Sequence, residues 1–365
     1  MTFCRPSLRK RLGLKLFADL YKDRVAAHRL TTLFWECTLR CNLNCRHCGS
    51  DCTADARQKD MPMVDFLRVL DEEITPHVDP RTVLIILSGG EVLVRDDIEQ
   101  IGLELKRRGY PWGMVTNGLA LTPELLERLI AAGLKSVSVS FDGFEEEHQF
   151  IRRNPRSYRA ALQAIHAILQ HPEVAFDIVT CVTPALVPKL ELFKQHLIEQ
   201  GVKEWRIFSI FPAGRAKKDY ALELSPEELK EVLEFIRRTR KEQKKERKID
   251  LSYACEGFLG NYESEVRDHF YQCAAGISVA SVRVDGAISG CTSIRANYHQ
   301  GNIYEDHFWE VWENRFTPFR DRTWARKGAC ATCDMFRYCQ GGGMHLRDND
   351  GELMYCHYQK LLEAK

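Results

Sequence analysis

The feature that most constrains the fold of this chain is a repeated strand–helix alternation through its middle. Short apolar runs of strand length recur between longer helical patterns, which is typical of a mostly parallel sheet wrapped by helices. Six runs have the character of buried strands: Thr32–Glu36, Val83–Leu87, Trp112–Thr116, Ser136–Phe141, Phe176–Val182 and Trp205–Phe211. The helical patterns that alternate with them are Val64–Val78, Asp97–Arg108, Pro123–Ala132, Tyr158–Gln170, Lys189–Glu199 and Pro226–Lys244.

Six strand–helix units are too few to close an eight-stranded barrel. The sequence therefore predicts the α/β class and, within it, an open, partial (β/α)6 barrel. In folds of this kind the working side chains follow the carboxyl ends of the strands. We accordingly expect the functional residues directly after the predicted strands.

The pattern changes beyond residue 250. Val279–Val284 and Ala287–Ser289 flank Asp285-Gly286, which predicts a hairpin with a type I′ turn. A short helix over Trp309–Arg315 and a cysteine-rich, glycine-rich tail follow. A small domain with so little regular structure would need metal ligation to stay folded.

These patterns predict three regions: an N-terminal basic amphipathic helix in residues 1–30, the partial barrel in residues 31–250 and the small domain in residues 251–365. Residues 1–30 carry eight Lys/Arg and two Asp/Glu. Their apolar residues recur at helical spacing: Leu8, Leu12, Leu16 and Leu20, with Phe17 and Tyr21. We expect this face to pack on the side of the open barrel, with docking to a membrane surface or a partner as the alternative.

The fourteen cysteines are gathered at the two ends of the chain. Six lie in residues 1–52 and seven in residues 255–356, which leaves Cys181 alone between them. No apolar run approaches the ~18 residues of a membrane span, and no secretory signal is visible, so we expect a cytoplasmic protein without a transmembrane segment. In a reducing compartment, clustered cysteines indicate metal binding or catalysis rather than disulfides. The net charge of +1 gives no electrostatic reason to expect a nucleic-acid partner.

The first cysteine cluster, Cys41-x3-Cys45-x2-Cys48, directly follows the first predicted strand. Three thiolates at this spacing can hold three irons of a [4Fe–4S] cube and leave the fourth iron open. A zinc site would need a fourth ligand. Three neighbouring side chains are suitable: Cys37, His47 and Cys52.

Polar groups also follow further predicted strands. The second strand leads into Gly89-Gly90-Glu91, whose glycines permit close backbone approach to a ligand and whose carboxylate can pair with an ammonium group. The third and fourth strands have polar residues at or beyond their carboxyl ends: Asn117, Ser140, Asp142 and, further on, Arg152. Stability alone does not account for this recurrence at one edge of a sheet.

The cysteine spacing together with Gly89-Gly90-Glu91 resembles the radical S-adenosylmethionine (SAM) superfamily, and the likeness runs through nearly the whole chain. The resemblance implies that Cys41, Cys45 and Cys48 hold a [4Fe–4S] cluster, whose free iron binds SAM. One-electron reduction would then cleave SAM to a 5′-deoxyadenosyl radical. The implied SAM contacts are His47 before the last cysteine, Gly89, Gly90 and Glu91 at the amino group, Ser140 and Arg152 at the carboxylate, Phe211 near the adenine, and Asn117 and Asp142 on the ribose side or behind the other contacts.

A second resemblance covers the tail, whose spacing alone fits zinc as well as iron–sulfur clusters. Gly286-x4-Cys291 and Cys330-x2-Cys333-x5-Cys339 resemble the SPASM domain of peptide- and protein-modifying radical SAM enzymes, which holds one or two auxiliary [4Fe–4S] clusters. The implied outer cluster is complete: Cys330, Cys333, Cys339 and Cys356. The implied inner cluster has Cys273 and Cys291, with Cys255 as a further upstream ligand. Because Gly343 stands where the family has another cysteine, the inner cluster is either absent or has an open iron.

Two residues are weak catalytic candidates. Cys181, in the fifth strand, is a candidate hydrogen donor. Arg215 lies in Pro212-Ala-Gly-Arg-Ala, which resembles a segment common in SPASM enzymes, where the arginine orients the substrate or packs the domain junction. The basic segment Arg237–Lys248 is either a solvated helix end or a receptor for an acidic electron donor.

The two resemblances together imply an enzyme that abstracts a hydrogen atom from a peptide or protein, leading to a crosslink, a thioether, epimerisation or oxidation. Within the superfamily the chain is most similar to members associated with small lipoproteins or precursor peptides. A reduced flavodoxin or ferredoxin is implied as the electron donor. Two alternatives stay open: formylglycine formation in sulfatases, although Thr292 stands where some relatives have an acidic base, and a zinc-stapled binding module or electron carrier.

Overall fold

The computed structural model describes residues 5–254 and 257–364. Cys4 and Cys255, the second of which is an expected inner-cluster ligand, lie outside the described residues. Within the two described ranges, no cysteine forms a disulfide. The prediction that the thiols serve another purpose is therefore compatible with the fold.

One ten-stranded sheet organises the chain. The strands are β1 (Thr32–Thr38), β2 (Leu84–Gly89), β3 (Trp112–Thr116), β4 (Leu134–Ser140), β5 (Ala175–Val182), β6 (Glu204–Ser209), β7 (Asp250–Tyr253), β8 (Val279–Val282), β9 (Ala287–Ser289) and β10 (Gly301–Asn302). Their order across the sheet is β10-β9-β8-β1-β2-β3-β4-β5-β6-β7. Every pairing from β8 through β1 to β7 is parallel. Since β7 and β10 do not meet in the described part of the chain, the barrel is open.

All six predicted strands are present, which confirms the partial barrel. The sequence analysis missed a seventh parallel strand, β7, whose Asp250 lies opposite Glu204 of β6. This strand has only four residues and directly follows the charged end of a long helix. Four residues are too few to show the alternation by which strands are recognised.

The predicted hairpin is present as β8 and β9, and it joins the barrel sheet. Strand β8 pairs in parallel with β1, with Thr32 opposite Val279 and Trp35 opposite Val282. The sheet therefore continues past the boundary predicted near residue 250. We call residues 257–364 the auxiliary segment; backbone hydrogen bonds attach it to the barrel.

Helices cover one face of the parallel sheet and form much of the auxiliary segment. They are α1 (Leu8–Ala27), α2 (Met63–Arg68), α3 (Ile98–Arg107), α4 (Pro123–Ala131), α5 (Glu145–Arg152), α6 (Ser157–Ile168), α7 (Leu190–Glu199), α8 (Pro226–Glu246), α9 (Phe308–Asn314), α10 (Thr317–Arg320), α11 (Phe336–Cys339) and α12 (His357–Glu363). A π-helical stretch, Val69–Ile74, continues α2. No described helix is long and apolar enough to cross a membrane. Sequence analysis missed α5, α10, α11 and α12, which have only four to eight residues each and are too short to show a helical repeat.

Side chains on each barrel strand alternate between two faces. Leu33, Trp35 and Cys37 of β1 are buried toward the helices, and the Trp35 ring stacks on Phe66 of α2 at 4.3 Å between centroids. The opposite face of the strands lines the interior of the open barrel, which we call the lumen. Glu36 of β1 lies on this lumen face and is fully buried.

Helix α1 packs through only two of the six residues that the sequence predicts, Phe17 and Tyr21. The four leucines of its expected packing face are 60 to 86% exposed: Leu8, Leu12, Leu16 and Leu20. Tyr21, predicted on the same face as these leucines, is instead buried together with Leu14 on the other side of the helix, and its hydroxyl donates to the Cys273 carbonyl at 3.1 Å. Next to them, Phe17 packs on Phe270. The expected contact with the barrel's side is therefore wrong, because a helix with two apolar faces buries the one that meets the aromatic surface of the auxiliary segment.

The orientation of α1 predicts opposite outcomes for two neighbouring leucines. Leu14→Ala leaves a cavity under the helix and should lower the free energy of unfolding by about 2–5 kcal/mol. Leu12→Ala, at an exposed position of the same helix, should change it by less than about 0.5 kcal/mol. Urea unfolding followed by circular dichroism measures both, and a larger loss for Leu12 would contradict this packing.

Candidate functional site

Three thiols lie next to one another on the loop that follows β1. Burial raises the pKa of the Cys41 thiol to about 12, and Cys45 and Cys48 are close enough to contribute to the shift. Burial also raises the pKa of Cys45. Thiols that are buried in this way, as Cys41 and Cys45 are, ionise readily only beside a cation, so this group fits a metal centre better than a set of free thiols.

Two side chains from other elements donate to these sulfurs. Asn117, directly after β3, directs its Nδ2 at the Cys41 sulfur at 3.9 Å. Arg152, at the end of α5, directs Nη1 at the Cys45 sulfur at 3.7 Å. Donors of this kind stabilise thiolates and the negative charge of an iron–sulfur cluster.

The predicted Gly89-Gly90 turn packs directly against the loop that leads to the cysteines. A Cβ atom on Gly89 would lie 2.1 Å from the Thr38 carbonyl oxygen, and one on Gly90 would lie 2.1 Å from the Arg40 carbonyl oxygen. The Gly90 N–H donates to the Thr38 carbonyl at 2.8 Å. Glycine is therefore required at both positions by close backbone approach.

Glu91 is 1% exposed and joins the ends of β2 and β3. Its carboxylate accepts from the Thr116 hydroxyl and from the Asn117 N–H, both at 2.7 Å, and from the Leu93 N–H at 3.2 Å. Burial raises the pKa of Glu91, and these donors oppose the rise. The carboxylate thus holds Asn117 in the position from which its amide reaches Cys41.

Asp142 and Arg152 form a buried ion pair behind Cys45. The Arg152 Nε donates to Asp142 Oδ2 at 2.6 Å, and the other carboxylate oxygen accepts from the Cys181 N–H at 2.9 Å. Burial alone would raise the pKa of Asp142, but Arg152 holds it below its ordinary value. The pair fixes the guanidinium and leaves Nη1 directed at the thiol.

His47 is neutral and has an unpaired nitrogen. Burial first, and then the nearby Arg152, lower the pKa of the His47 imidazole to about 4. Its Nδ1 is buried and finds no hydrogen-bond partner among the residues that the structure describes. A polar atom of this kind fits a position beside a bound cofactor.

The remaining predicted SAM contacts surround the same edge of the sheet. Ser140 ends β4 and pairs in register with Val179 of β5, two residues before Cys181. Phe211 follows β6, and its ring lies 4.8 Å from the ring of His345 in the auxiliary segment. Phe211 is thus at the junction between the barrel and the auxiliary segment.

Arg215 holds the backbone of the cysteine loop. Its Nε donates to the Cys45 carbonyl at 2.7 Å, and both terminal nitrogens donate to the Cys52 carbonyl at 3.0 Å. Its own N–H donates to the Cys48 carbonyl at 3.1 Å. Sequence analysis did not predict these contacts, because nothing in either segment indicates which carbonyls the guanidinium reaches.

Cys52 and Cys37 flank the three thiols in different ways. The Cys52 thiol lies against Cys48 and lowers the pKa of Cys48 to about 5, chiefly through a hydrogen bond. Cys37 is buried on the helix side of β1, and burial raises its pKa to about 12. Cys37 therefore faces away from the lumen.

Four thiols of the auxiliary segment also lie together: Cys330, Cys333, Cys339 and Cys356. Burial raises the pKa of Cys339 to about 12, and the other three are close enough to contribute. The fully buried Arg347 directs Nη2 at the Cys330 sulfur at 3.4 Å. Sequence analysis missed Arg347. This residue donates to Cys330 in the same way as Arg152 donates to Cys45.

Cys273 and Cys291 form a separate pair. Burial raises the pKa of Cys291, and the neighbouring Cys273 contributes. Cys273 and Cys339 both line a crevice between α1 and the auxiliary segment. Gly343 is buried and precedes the turn Met344–Leu346. With Cys255 outside the described residues, the inner ligand set stays a prediction.

Within residues 5–254 and 257–364, no three His, Cys, Asp or Glu side chains converge on a point where a single metal ion would sit. A [4Fe–4S] cube places each thiolate on a different iron, so its ligands are spread around the cluster. Convergence on one point is therefore not the geometry that such a cluster requires.

Two family models match the chain. The model of the radical SAM superfamily matches residues 35–189, which include the three thiols of the β1 loop and Arg152. The SPASM model, described as an iron–sulfur cluster-binding domain, matches residues 273–334. Cys339 and Cys356 lie beyond the matched range.

Curated relatives extend the likeness over most of the chain. The AdoMet-dependent heme synthase of Methanosarcina barkeri is 29% identical, over 89% of this chain and 95% of the relative. The mycofactocin maturase MftC of Mycobacterium tuberculosis is 26% identical, over 86% of this chain and 78% of the relative.

Two solved structures share the fold. The structure of anSMEcpe with bound AdoMet has a TM-score of 0.72 at 19% identity and covers 92% of this chain and 95% of its own. Streptococcus suis SuiB bound to its precursor peptide SuiA has a TM-score of 0.67 at 15% identity, over 88% of this chain and 74% of its own.

The contacts of Arg215 predict a role in holding the cysteine loop. A lysine has a single donor nitrogen and cannot reproduce the separate Nε and Nη donors with which the guanidinium reaches the Cys45 and Cys52 carbonyls. Arg215→Lys should therefore retain iron about 10–100-fold less well, as is typical when a residue that orients metal ligands is lost. Iron per chain after anaerobic reconstitution and dilution measures this retention.

Lys218→Gln is the matched control, because Lys218 lines the same surface cleft without a hydrogen bond to the loop among the contacts described. It should retain iron as the unmodified protein does. Equal iron loss in both variants would indicate a general effect of surface charge and contradict the role of Arg215.

Proposed function

Because the chain carries a radical SAM domain followed by a SPASM domain, we propose that it cleaves SAM reductively and abstracts a hydrogen atom from a peptide or protein substrate. The two domains imply [4Fe–4S] clusters and SAM as cofactors. When bound, the reduced cluster and SAM supply a 5′-deoxyadenosyl radical, while the chain binds, orients and excludes water. The observation that carries the proposal is the group of three thiols on the β1 loop, with donors directed at two of them.

Cys41, Cys45 and Cys48 are the proposed ligands of the SAM cluster. Three thiolates leave one iron for the amino and carboxylate groups of SAM. Asn117 and Arg152 donate to two of the sulfurs and offset their negative charge. We assign both residues to cluster and cofactor binding.

The other proposed SAM contacts divide by the part of SAM that they face. Gly89, Gly90 and Glu91 serve the amino group, and Ser140 with Arg152 serves the carboxylate. Asp142 orients Arg152 through the 2.6 Å ion pair. Two rings are assigned to the nucleoside end of SAM: His47 and Phe211.

The polar character of the lumen supports a peptide substrate. Serines recur on the lumen face of β4, and one of them, Ser138, donates to Asp177 of β5 at 2.6 Å. Asp177 also accepts from Arg206 of β6 at 2.6 Å. A lumen with hydroxyls and charges of both signs suits backbone amides and mixed side chains better than a flat apolar ligand.

An iron porphyrin is the second candidate substrate, because the heme synthase of M. barkeri is 29% identical over 89% of this chain. Mass spectrometry separates the two candidates. The reduced protein is incubated with SAM and either a candidate peptide encoded beside its gene or an iron porphyrin. A mass change in the peptide supports the proposal, and a change in the porphyrin alone would replace it.

The cluster assignment predicts the outcome of a single cysteine substitution. Cys41→Ala removes one of three ligands and should abolish the formation of 5′-deoxyadenosine from SAM under reducing conditions. Cys37→Ala, buried on the helix side of β1, should retain it. Liquid chromatography of the quenched reaction measures the product, and SAM cleavage by Cys41→Ala would refute the ligand assignment.

Iron counting tests the auxiliary ligands in the same protein. With Cys41, Cys45 and Cys48 all changed to Ala, about four irons should remain on the proposed outer set: Cys330, Cys333, Cys339 and Cys356. About eight irons would add an inner cluster at Cys273 and Cys291. A colourless protein that holds only zinc would reject the radical hypothesis.

We also propose a docking surface for the electron donor, a flavodoxin or ferredoxin. A surface cleft beside the cysteine loop is lined by four basic side chains and two acidic ones: Arg46, Arg153, Arg215 and Lys218, with Asp51 and Asp219. Arg46 lies between two of the proposed cluster ligands in sequence. This positive surface adjoins the cluster loop and complements an acidic redox protein.

The basic end of α8, Arg237–Lys248, is a weaker candidate for the same partner. Helix α8 ends at Glu246 and leads into Asp250, the first residue of β7. Because β7 runs parallel to β6, this end of α8 lies at the amino edge of the sheet, away from the cluster loop. Electron transfer weakens steeply with distance, which favours the cleft.

Charge reversal in the cleft predicts slower reduction. Arg153→Glu with Lys218→Glu should slow reduction by flavodoxin about tenfold at low salt, with a smaller effect at high salt. Reduction by dithionite, which needs no docked protein, should be unchanged. Lys241→Glu with Lys244→Glu on α8 is the control, and an equal slowing there would contradict the assignment of the cleft.

A further inference from the structure

A cluster of charged side chains at the mouth of the lumen has no part in the scheme above. Glu36 of β1 is fully buried there, next to two arginines and a histidine from the auxiliary segment. We call Glu36, Arg283, Arg295 and His299 the mouth cluster. None of its members is a predicted cluster ligand or SAM contact.

The contacts within the mouth cluster connect three parts of the chain. Arg295 Nη2 lies 2.6 Å from Glu36 Oε2 and also donates to the Ser50 hydroxyl of the cysteine loop. Arg283 Nε lies 3.5 Å from the other oxygen of Glu36. Arg283 Nη1 donates to His299 Nε2 at 2.6 Å. The cluster thus joins β1, the cysteine loop and the auxiliary segment.

The mouth cluster has a surplus of positive charge. Two guanidinium groups face the single carboxylate of Glu36. Burial, and then Arg283, lower the pKa of His299, so the imidazole is neutral and adds no charge. Asp285, the carboxylate that acts most strongly on His299, opposes this shift from an exposed position at the hairpin turn. One guanidinium charge is therefore left without a buried counter-ion.

Several buried donors of this region also lack a partner among the described residues. Because His299 Nε2 accepts from Arg283, the proton of the neutral ring is on Nδ1, and that N–H has no acceptor. Arg283 Nε and Arg295 Nε are buried without an acceptor as well, and Glu36 Oε1, 3.5 Å from Arg283 Nε, is an unpartnered acceptor beside them. The hydroxyls of Ser281 and Ser289, opposite each other on β8 and β9, have no partner either. Unpartnered buried donors of this number call for an acceptor group.

The position of the cluster relates it to the reaction. Arg283 directly follows β8, at the carboxyl edge where β1 leads into the cysteine loop. Arg295 is close enough to Cys291 of the inner pair and to Cys52 of the loop to act on the charge of both. A group bound here lies between the proposed SAM cluster and the inner thiol pair.

We propose that the mouth cluster is a carboxylate-binding subsite, which holds an acidic side chain or the C-terminal carboxylate of the peptide substrate. Its two guanidiniums supply the fork geometry that recognises carboxylates, and the His299 N–H with the two serine hydroxyls supplies further donors. Glu36 holds the arginines in place when the subsite is empty. This inference rests on the proposed function and names the substrate feature that directs the peptide into the lumen.

Direct binding of a small probe tests the subsite. Calorimetry is carried out anaerobically on the reconstituted full-length protein without SAM or reductant, with succinate as the probe and succinamide as its neutral counterpart. Succinate should bind and succinamide should not. Arg283→Gln and Arg295→Gln should each weaken succinate binding about tenfold or more, since each removes a charged hydrogen-bond donor. Arg128→Gln, which removes an exposed pair with Glu99 on the outer helices, should not change it.

Glu36→Gln should change the affinity for succinate in the opposite direction to the arginine variants. If the cluster only ties segments together, this variant loses two ion pairs and gains no affinity for succinate. If the cluster is a subsite, it frees two guanidiniums and tightens succinate binding several-fold. The measurement on Glu36→Gln therefore tests the proposal even if an arginine variant does not fold. Unchanged binding in every variant, or equal binding of succinamide, would overturn the proposal.

Competition with succinate identifies the source of the carboxylate. Competition by an aspartate-containing hexapeptide with an amidated C-terminus assigns the subsite to an acidic side chain, and competition by the same peptide with asparagine and a free C-terminus assigns it to the C-terminal carboxylate. Competition by neither peptide, or by a carboxylated porphyrin alone, would reject the peptide as occupant. The binding assay needs no SAM cleavage, so the two proposals fail separately. Succinate binding without formation of 5′-deoxyadenosine would refute the proposed function. Formation of 5′-deoxyadenosine without succinate binding would refute only the subsite.

Discussion

The position of β1 between β2 and β8 is the constraint on which the whole site depends. Parallel strands bring their carboxyl ends to one edge of a sheet, and β8 belongs to the auxiliary segment. The cysteine loop and the auxiliary thiols therefore approach the same edge although they are distant in sequence. Four paired positions fix this register, and a slip by one residue would turn Arg283 out of the lumen and away from Glu36.

In each of the two thiol groups, a buried arginine donates to one cysteine sulfur. Arg152 is held by Asp142 and directs one nitrogen at Cys45, while Arg347 is held by the Gly341 and Gly351 carbonyls and directs one nitrogen at Cys330. In each case other N–H groups of the arginine bond to acceptors within the fold, and one N–H group donates to the cysteine sulfur. Positive charge and hydrogen bonds at the sulfurs of a cluster raise its reduction potential. The same device would therefore bring both clusters within reach of a common reductant.

The sequence predicted the features that depend on local periodicity. Six strands, the hairpin and the cysteine loop directly after β1 are present because apolar alternation and turn residues specify them locally. The features it missed depend on distant partners. Arg215 gains its role from loop carbonyls, and Leu14 is buried rather than Leu12 because the auxiliary segment presents aromatic rings to that face of α1. No local pattern encodes which of two apolar helix faces, or which carbonyl, a tertiary contact will use.

Two arginines hold the cysteine loop from different sides. This separates the proposed docking surface of the electron donor from the proposed carboxylate-binding subsite. Arg215, after β6, binds the loop carbonyls beside the exposed basic cleft, whereas Arg295 binds the Ser50 hydroxyl from the lumen side, where it also meets the buried Glu36. An electron donor in the cleft and a carboxylate at the mouth cluster would therefore contact different faces of one loop. This arrangement would let each proposed partner bind while the other is in place, because the arginines that would receive them come from separate segments. Substrate binding through Arg295 would also stiffen the loop that carries the proposed ligands, so an occupied lumen would favour a cluster that is ready for reduction.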